Sequence, residues 1–291
     1  MTKHRYFFSI KELAAAAFFA LTAFTATGQE VKFHNEKSDT TRITTILIEE
    51  CREKNPGDVA RIALKFTGTP YGAGTLEGDS TEVLRVNLDS MDCTTFVETV
   101  LALAYTAGER RQSWRDFTYN LRRLRYRNGE TDGYATRLHY ISDWIVDNVA
   151  RGNVREITRE LPNARYAVKT LDYMTRNRDK YPALADSATY ARMKNVESGF
   201  SNHRYPYLKA AGLNDKKLLQ AVSDGDMVCF TTSTRGLDVT HVGIVTIVNG
   251  IPHLIHASSK EGRVLLDPLS LSAYIARNRP EGLRIIRLRR D

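Results

Sequence analysis

Residues 91–100 read MDCTTFVETV. A carboxylate, a thiol and two threonines stand directly before an apolar run, inside the longer stretch DSMDCTTFVETVLALAYTAG that covers residues 89–108. Phe96, Val97, Val100, Leu101 and Ala104 recur at helical spacing, Gly108 supplies a stop, and Ser90 or Asp92 supplies an N-cap. Cys93 therefore falls in the first turn of a helix, where unpaired N–H groups and the helix dipole favour thiolate over thiol. The same position suits a small buried core residue, because most free cysteines are inert. Glu98 is the only charge between Asp92 and Glu109.

On either side of this helix the chain has two textures. Segments 40–54, 57–67, 92–107, 113–126 and 138–151 carry periods near 3.6. Residues 152–205 are mixed, with helices expected over 170–180 and 185–197. From Asp224 the pattern becomes short and β-branched: GDMVCFTT, THVGIVTIV, IPHLIHASS, GRVLLDP and EGLRIIRLR, with VNGIP as a turn between the second and third. Helices followed by consecutive strands predict an α+β domain in which the helix bearing Cys93 packs on an antiparallel sheet. The region 105–205 is long enough to form a lobe inserted between the two.

The first residues are of another kind. Lys3, Arg5 and Lys11 precede the run LAAAAFFALTAFTA, and small Ala26 and Gly28 follow two positions apart. This is the pattern of a secretory signal peptide over residues 1–28, cut after Gly28. The apolar run falls short of the roughly 20 residues a membrane span needs, so no stable insertion is expected after cleavage. The mature chain, 29–291, is expected to be periplasmic or secreted. Its net charge falls from +8 to +6, because the leader carries Lys3, Arg5 and Lys11 against Glu12. That balance suits anionic partners such as cell-wall polymer, and export argues against nucleic acid. The basic run RRQSWRDFTYNLRRLRYRNG reads as the solvated face of a helix.

Cys51, Cys93 and Cys229 are the cysteines, an odd number in an oxidising compartment. A Cys51–Cys229 bridge is open to the chain but nothing in the sequence requires it; Cys93 is the natural thiol left over. A nucleophilic cysteine needs a base, and the base an orienting group. Of the seven histidines, His4 lies in the leader, His34 in the mature N-terminus, His139 on an expected helix and His203 near a loop. His241, His253 and His256 lie on the strands. Alternation places His241 and Gly243 on one face, with His256 across the turn at Asn249-Gly250, offset by a few residues that a bulge or a diagonal contact absorbs. His253 has the wrong parity to share a face with His256. The two histidines also fit as half-buried structural residues. With Cys93 they could fill three zinc positions, but no C-x₂-C or H-E-x-x-H pair occurs, and no G-x-S-x-G elbow points to a serine hydrolase. No metal or cofactor is called for.

Taken in order, FTGTPYGAG, MDCTTFVETV, DGDMVCF, THVGIVTIVNG and HLIHASS resemble the signature segments of NlpC-type cysteine peptidases, papain-like hydrolases of bacterial cell-wall peptide links. The resemblance covers about residues 64–105 and 223–267. RLHYISDWI, LDVTHVG and GLRIIRL narrow it to a subfamily of Bacteroidetes-like bacteria, formerly a domain of unknown function, associated with cleavage of the bond between N-acetylmuramic acid and L-alanine. The resemblance implies a papain-like core over about 57–107 and 206–291, with a mainly helical lobe over about 108–205, forming one amidase domain. It implies Cys93 as nucleophile, His241 as general base and His256 as the residue orienting His241. Tyr71, with Asp92 and Thr94 beside the thiol, is implied at the oxyanion and substrate side. Where the family has Asp-Cys-Ser-Gly this chain has DCTT, so Thr95 replaces glycine and implies a different pocket. Arg137, His139 and Trp144 are candidates for reading the sugar. Muropeptides are the implied substrate. Cleavage at L-Ala–D-Glu or D-Glu–diamino acid, transfer to an amine, and a non-catalytic wall-binding module are the competing readings.

Overall fold

Helix caps set the entry to the fold. In the computed structural model, which describes residues 30–79 and 81–289, the expected leader 1–28 lies outside the described residues. A short strand β1 (Val31–Phe33) leads into α1 (Glu36–Arg52), whose cap Asn35 accepts from the Ser38 N–H. Asp58 caps α2 (Val59–Leu64) in the same way. β2 (Leu84–Val86) pairs with β1 in parallel, and α3 (Cys93–Gly108) follows. α3 is buried on almost every side, as an apolar helix must be when other helices and a sheet surround it.

α4 (Trp114–Arg125) is amphipathic: Phe117, Leu121 and Leu124 face inward and Arg115 faces water. Its basic run is not solvated throughout, however. Arg125 is buried and its Nε donates to Glu98 at 2.6 Å. The lone charge of α3 is thus matched by one arginine of the run, and each is buried because the other is there.

α5 (Ile141–Ala150), β3 (Val154–Glu156), β4 (Arg165–Lys169), α6 (Tyr173–Arg176), α7 (Ser187–Ser198) and β5 (His203–Lys209) come next. α8 (Asp215–Ala221), β6 (Met227–Thr231), β7 (Val239–Val248), β8 (Ile251–Ser258), β9 (Arg263–Ser270), α9 (Leu271–Asn278) and β10 (Gly282–Leu288) complete the described chain. Eight strands form one sheet, in the order β4-β5-β10-β6-β7-β8-β9, with β3 also on β10. Its pairings are antiparallel. The expected helix over 170–180 is shorter, and residues 154–156, 165–169 and 203–209 add strands to the sheet that periodicity did not reveal.

The sheet is covered on both faces. α3 packs against β7 and β8, and its core joins Ile43, Leu47, Phe117 and Trp144 to Val242, Ile244 and Ile255. The opposite face carries Val245, Leu254, Leu283 and Ile285 under α8 and α9. The β7–β8 turn is Asn249-Gly250, both at positive φ, which is the geometry a two-residue hairpin loop requires and glycine accepts freely. Among the described residues no helix is long and apolar enough to cross a membrane. All three cysteines are free.

Candidate active site

A capping box opens α3. Asp92 Oδ1 accepts from the Thr95 N–H at 2.8 Å, and Thr95 Oγ1 accepts from the Asp92 N–H at 2.9 Å. Thr95 is therefore buried in the cap, which accounts for a hydroxyl-bearing residue two places after the cysteine. The Asp92 carboxylate is occupied by the same cap, with Thr95 Oγ1 also donating to it. Cys93 is thereby held as the first residue of the helix, where its own N–H lacks an intrahelical partner.

The sulfur of Cys93 has close polar company. The Thr94 hydroxyl, the Val242 N–H and its own N–H all donate towards it. The contact with Val242 ties the helix start to β7 one residue after His241. The strand segment at Tyr71 is fixed on the other side: its N–H donates to Gly262 O at 2.8 Å, and Met91 N donates to Pro70 O at 3.0 Å. Burial, and then the neighbouring Cys93 and Asp92, push the Tyr71 hydroxyl up, so it stays a donor. Thr94 thus lies at the thiol, and Tyr71 within electrostatic reach of it.

On the strands, register does the placing. Ile244 pairs with Ile255, and the Gly243 Cα lies so close to β8 that an added Cβ would sit 3.0 Å from the His256 Cβ. Glycine at 243 thus lets the two strands present their histidines together. His241 reaches His256 by a diagonal contact, with Nε2 at 2.7 Å from His256 Nδ1 and the rings edge to face at 4.9 Å. A bulge at Thr240, between the Phe230–His241 and Thr231–Val239 pairs, adds twist beside the site.

His256 is held from its far side by a residue that the strand pattern did not single out. Its Nε2 lies 3.3 Å from Asp267 Oδ2. The β8–β9 register slips between His253 and Ile255, so that β9 has extra residues around Asp267 and Pro268. Proline has no N–H to give a ladder, and a bulge is where a strand accommodates it. The bulge turns the carboxylate towards His256 while Asp267 Oδ1 accepts from the Leu269 N–H at 2.9 Å. His253 faces away, as its parity predicts, and contacts the Asp267 carbonyl at 3.1 Å.

Aromatic rings wall the pair. Phe230 stacks on His241 at 5.9 Å, and Tyr274 of α9 lies 5.3 Å from His256 and 6.4 Å from His241. Neither ring was foreseen; α9 follows β9 without a break and hid in its pattern.

This packing fixes the charge state. Burial, followed by Asp92, pushes the Cys93 thiol up to about 11. Burial and His256 push His241 down to about 3. Burial also lowers His256, against the opposing pull of Asp267. The helix start favours thiolate, but desolvation outweighs it, and burial favours the neutral forms of both the thiol and His241. No hydrogen bond joins the sulfur to His241. With Nε2 engaged by His256, Nδ1 is the nitrogen of His241 left open.

The sugar-reading candidates have structural surroundings of their own. Trp144 is 1% exposed, inside the core against α3, where no sugar can reach it. His139 precedes α5 instead of sitting on it, with Nε2 2.9 Å from Tyr134 O. Arg137 is buried, donating to Glu77 Oε1 at 2.6 Å and to Leu76 O at 3.2 Å.

The arrangement of helices on an antiparallel sheet is one that solved amidase structures share. The chain belongs to the N-acetylmuramoyl-L-alanine amidase-like (AmiA-like) family, which matches it over residues 61–283. The crystal structure of an N-acetylmuramoyl-L-alanine amidase from Bacteroides uniformis is 36% identical, with 80% of this chain and 99% of that one covered and a TM-score of 0.75. A putative xylanase from Bacteroides fragilis is 40% identical, covering 78% of this chain and 100% of its own, with a TM-score of 0.73. A Legionella pneumophila protein at 23% identity, covering 87% of this chain and 95% of its own with a TM-score of 0.67, shares the fold. Among proteins of curated function none matches the chain.

Proposed function

We propose that this amidase-family chain uses Cys93 to hydrolyse the amide bond between N-acetylmuramic acid and L-alanine in peptidoglycan or its muropeptides. The observation that carries the reading is the chain of contacts from His241 through His256 to Asp267, on a strand whose next residue, Val242, directs its N–H to the sulfur of a cysteine at a helix start. In this reading the thiol passes its proton to His241 Nδ1 as sulfur attacks the lactyl carbonyl. The Cys93 N–H and the Tyr71 hydroxyl steady the oxyanion. His241 then protonates the departing alanine amine, takes a proton from water, and directs the hydroxide to the thioester. His256 and Asp267 hold the tautomer of His241 that leaves Nδ1 free to accept. The reaction consumes water alone. An NlpC-type ancestry and a periplasmic or secreted location belong to the same proposal.

A glycosidase reading, prompted by the xylanase-like relative, would need two carboxyl groups across a glycosidic bond. Here Asp92 is engaged in the helix cap and Asp267 in holding His256 and Leu269. Neither carboxylate is available for that work.

The test is to incubate residues 29–291 with muropeptides of defined structure under reducing conditions and identify products by mass spectrometry. Release of the muramic-acid sugar with a peptide beginning at L-alanine, absent with Cys93→Ala, is expected. Products cut after L-Ala or D-Glu would overturn the bond assigned. Binding without any product would leave a module that only holds the wall.

A further inference from the structure

The His241 imidazole borders a second space. A cleft of about 290 Å³ is lined by His241 with Phe230, Thr240, Tyr274, Arg279 and Glu281, and Cys93 is not among its walls. A general acid must reach the departing amine, so the leaving half of a substrate lies on the imidazole side of the thiol. The cleft is therefore placed to hold the peptide that departs, and a two-residue peptide reaches at most about 7 Å into it.

Its charge is uneven. Glu281 lies within electrostatic reach of Lys169, whose ammonium donates to the Thr232 carbonyl at the cleft wall. Arg279 has no such match, and its guanidinium joins none of the ion pairs of the described residues. Its backbone is unusual too: φ is 48° and ψ 50° at the C-cap of α9, the left-handed conformation that glycine or asparagine normally takes. The Arg279 N–H closes the helix on Ile275 O at 2.8 Å, and Pro280 follows and ends it. An arginine kept where glycine would fit freely, at the mouth of a cleft beside the proposed base, points to a task for its side chain.

We propose that Arg279 anchors a free carboxylate on the leaving peptide, one residue beyond the alanine whose amine is released. The proposal rests on the amidase reading and names the form of substrate its site prefers. A γ-linked D-glutamate keeps its α-carboxylate free for the guanidinium; the amidated form, D-isoglutamine, offers no charge. Preference for the acid then follows from a charge-assisted hydrogen bond that the amide cannot make.

Binding of the peptides L-Ala–γ-D-Glu–L-Lys and L-Ala–D-isoglutaminyl–L-Lys, whose γ-carboxyl is spent in the link to lysine so that they differ only at the α-carboxyl, to the wild-type chain, followed by calorimetry, tests this without requiring turnover. The acid is expected to bind about 10-fold tighter than the amide. Arg279→Asn, which keeps a residue tolerant of the left-handed backbone, should erase the preference, and Arg279→Lys should restore part of it. Equal affinities in the wild type, no binding of either peptide, or a preference that survives Arg279→Asn would overturn the proposal. Cleavage of the N-acetylmuramyl forms of both γ-linked peptides with equal efficiency would sink this proposal and leave the amidase standing. A preserved binding preference with no cleavage would do the reverse.

Discussion

Two buried polar assemblies lie on this sheet, and they are built to opposite ends. At β10, Arg284 donates to Glu156 at 2.8 Å and to Ser142 at 2.7 Å, and its guanidinium faces the Tyr205 ring. Ser142 in turn donates its N–H to Asp238. Both charges are almost wholly buried and matched, so the assembly has one geometry. At the β7–β9 end, two imidazoles share a single contact and lean on one carboxylate at 3.3 Å. Neither imidazole is charged, and one nitrogen has no partner. The saturated assembly locks strands of the lobe to the centre of the sheet. The unsaturated one keeps room for a proton to enter and leave.

The sharpest way to break this contrast is Arg284→Met, which leaves Glu156 buried and Ser142 short of a partner. Unfolding in urea should show a loss of about 3–5 kcal/mol, while activity per folded molecule stays near wild type. Adding Glu156→Leu should recover much of that loss, since the orphaned charge is then gone. A loss that persists in the double variant would mean the network matters for more than its paired charges.

Asp267→Asn probes the other end. It keeps a hydrogen-bond acceptor for His256 and removes the charge, so kcat should fall about 10- to 100-fold with little change in stability. The carboxylate raises the pKa of His256. Its removal should therefore move the acid limb of the pH–rate profile to lower pH, a shift that loss of packing alone would not give.

Stability against pH separates the two assemblies next. Burial holds His241 at about 3, and burial with Arg137 holds His139 at about 3, both below the ordinary value of 6.5. Above 6.5 neither state binds these protons; below it the unfolded chain binds protons that the folded chain refuses. Stability should thus decline as pH falls from 6.5 towards 3, by on the order of 1 kcal/mol per histidine per pH unit. Urea midpoints measured at pH 7.5, 6 and 5 would show it, and His139→Gln should remove one share (pH values chosen to bracket the ordinary histidine range).

The smallest effect expected is that of Thr95→Val. It keeps the shape, deletes one half of the capping box, and should cost about 0.5–1 kcal/mol by thermal unfolding. A fall in activity larger than this would show that the cap also sets the position of Cys93.

Much of this architecture could be read from residues alone, for physical reasons that also mark where reading stopped. α3 and the strands from Met227 onward carry clean periods, and Asn249-Gly250 fixes their register, so the placing of Cys93 at a helix start and of His241 and His256 on paired strands follows from local pattern, while their roles come only from the resemblance. β3 and β4 carry Arg155, Glu156, Arg165 and Lys169 among few apolar residues, and no period of two stands out. They become strands because β10 and β5 offer them edges. Asp267 precedes a proline and reads as a turn, whereas the tertiary ladder makes it a bulge. Tyr274 and Phe230 meet the histidines only after folding. Trp144 and Arg125 look like surface residues in a polar neighbourhood, and only the packing of α5 and Glu98 explains their burial.

One feature of the topology bears on how the molecule comes into being. β10 follows every other strand in the chain, yet it lies at the centre of the sheet, hydrogen-bonded to β3, β5 and β6. Until residues 282–288 have left the ribosome, β6 to β9 have no neighbour on one side and the lobe strands have nothing to join. Closure is therefore a late, long-range event with the slow kinetics of non-local strand pairing. A nascent chain carries the thiol long before it carries a finished site, so an incomplete copy is a reactive group without a catalyst around it.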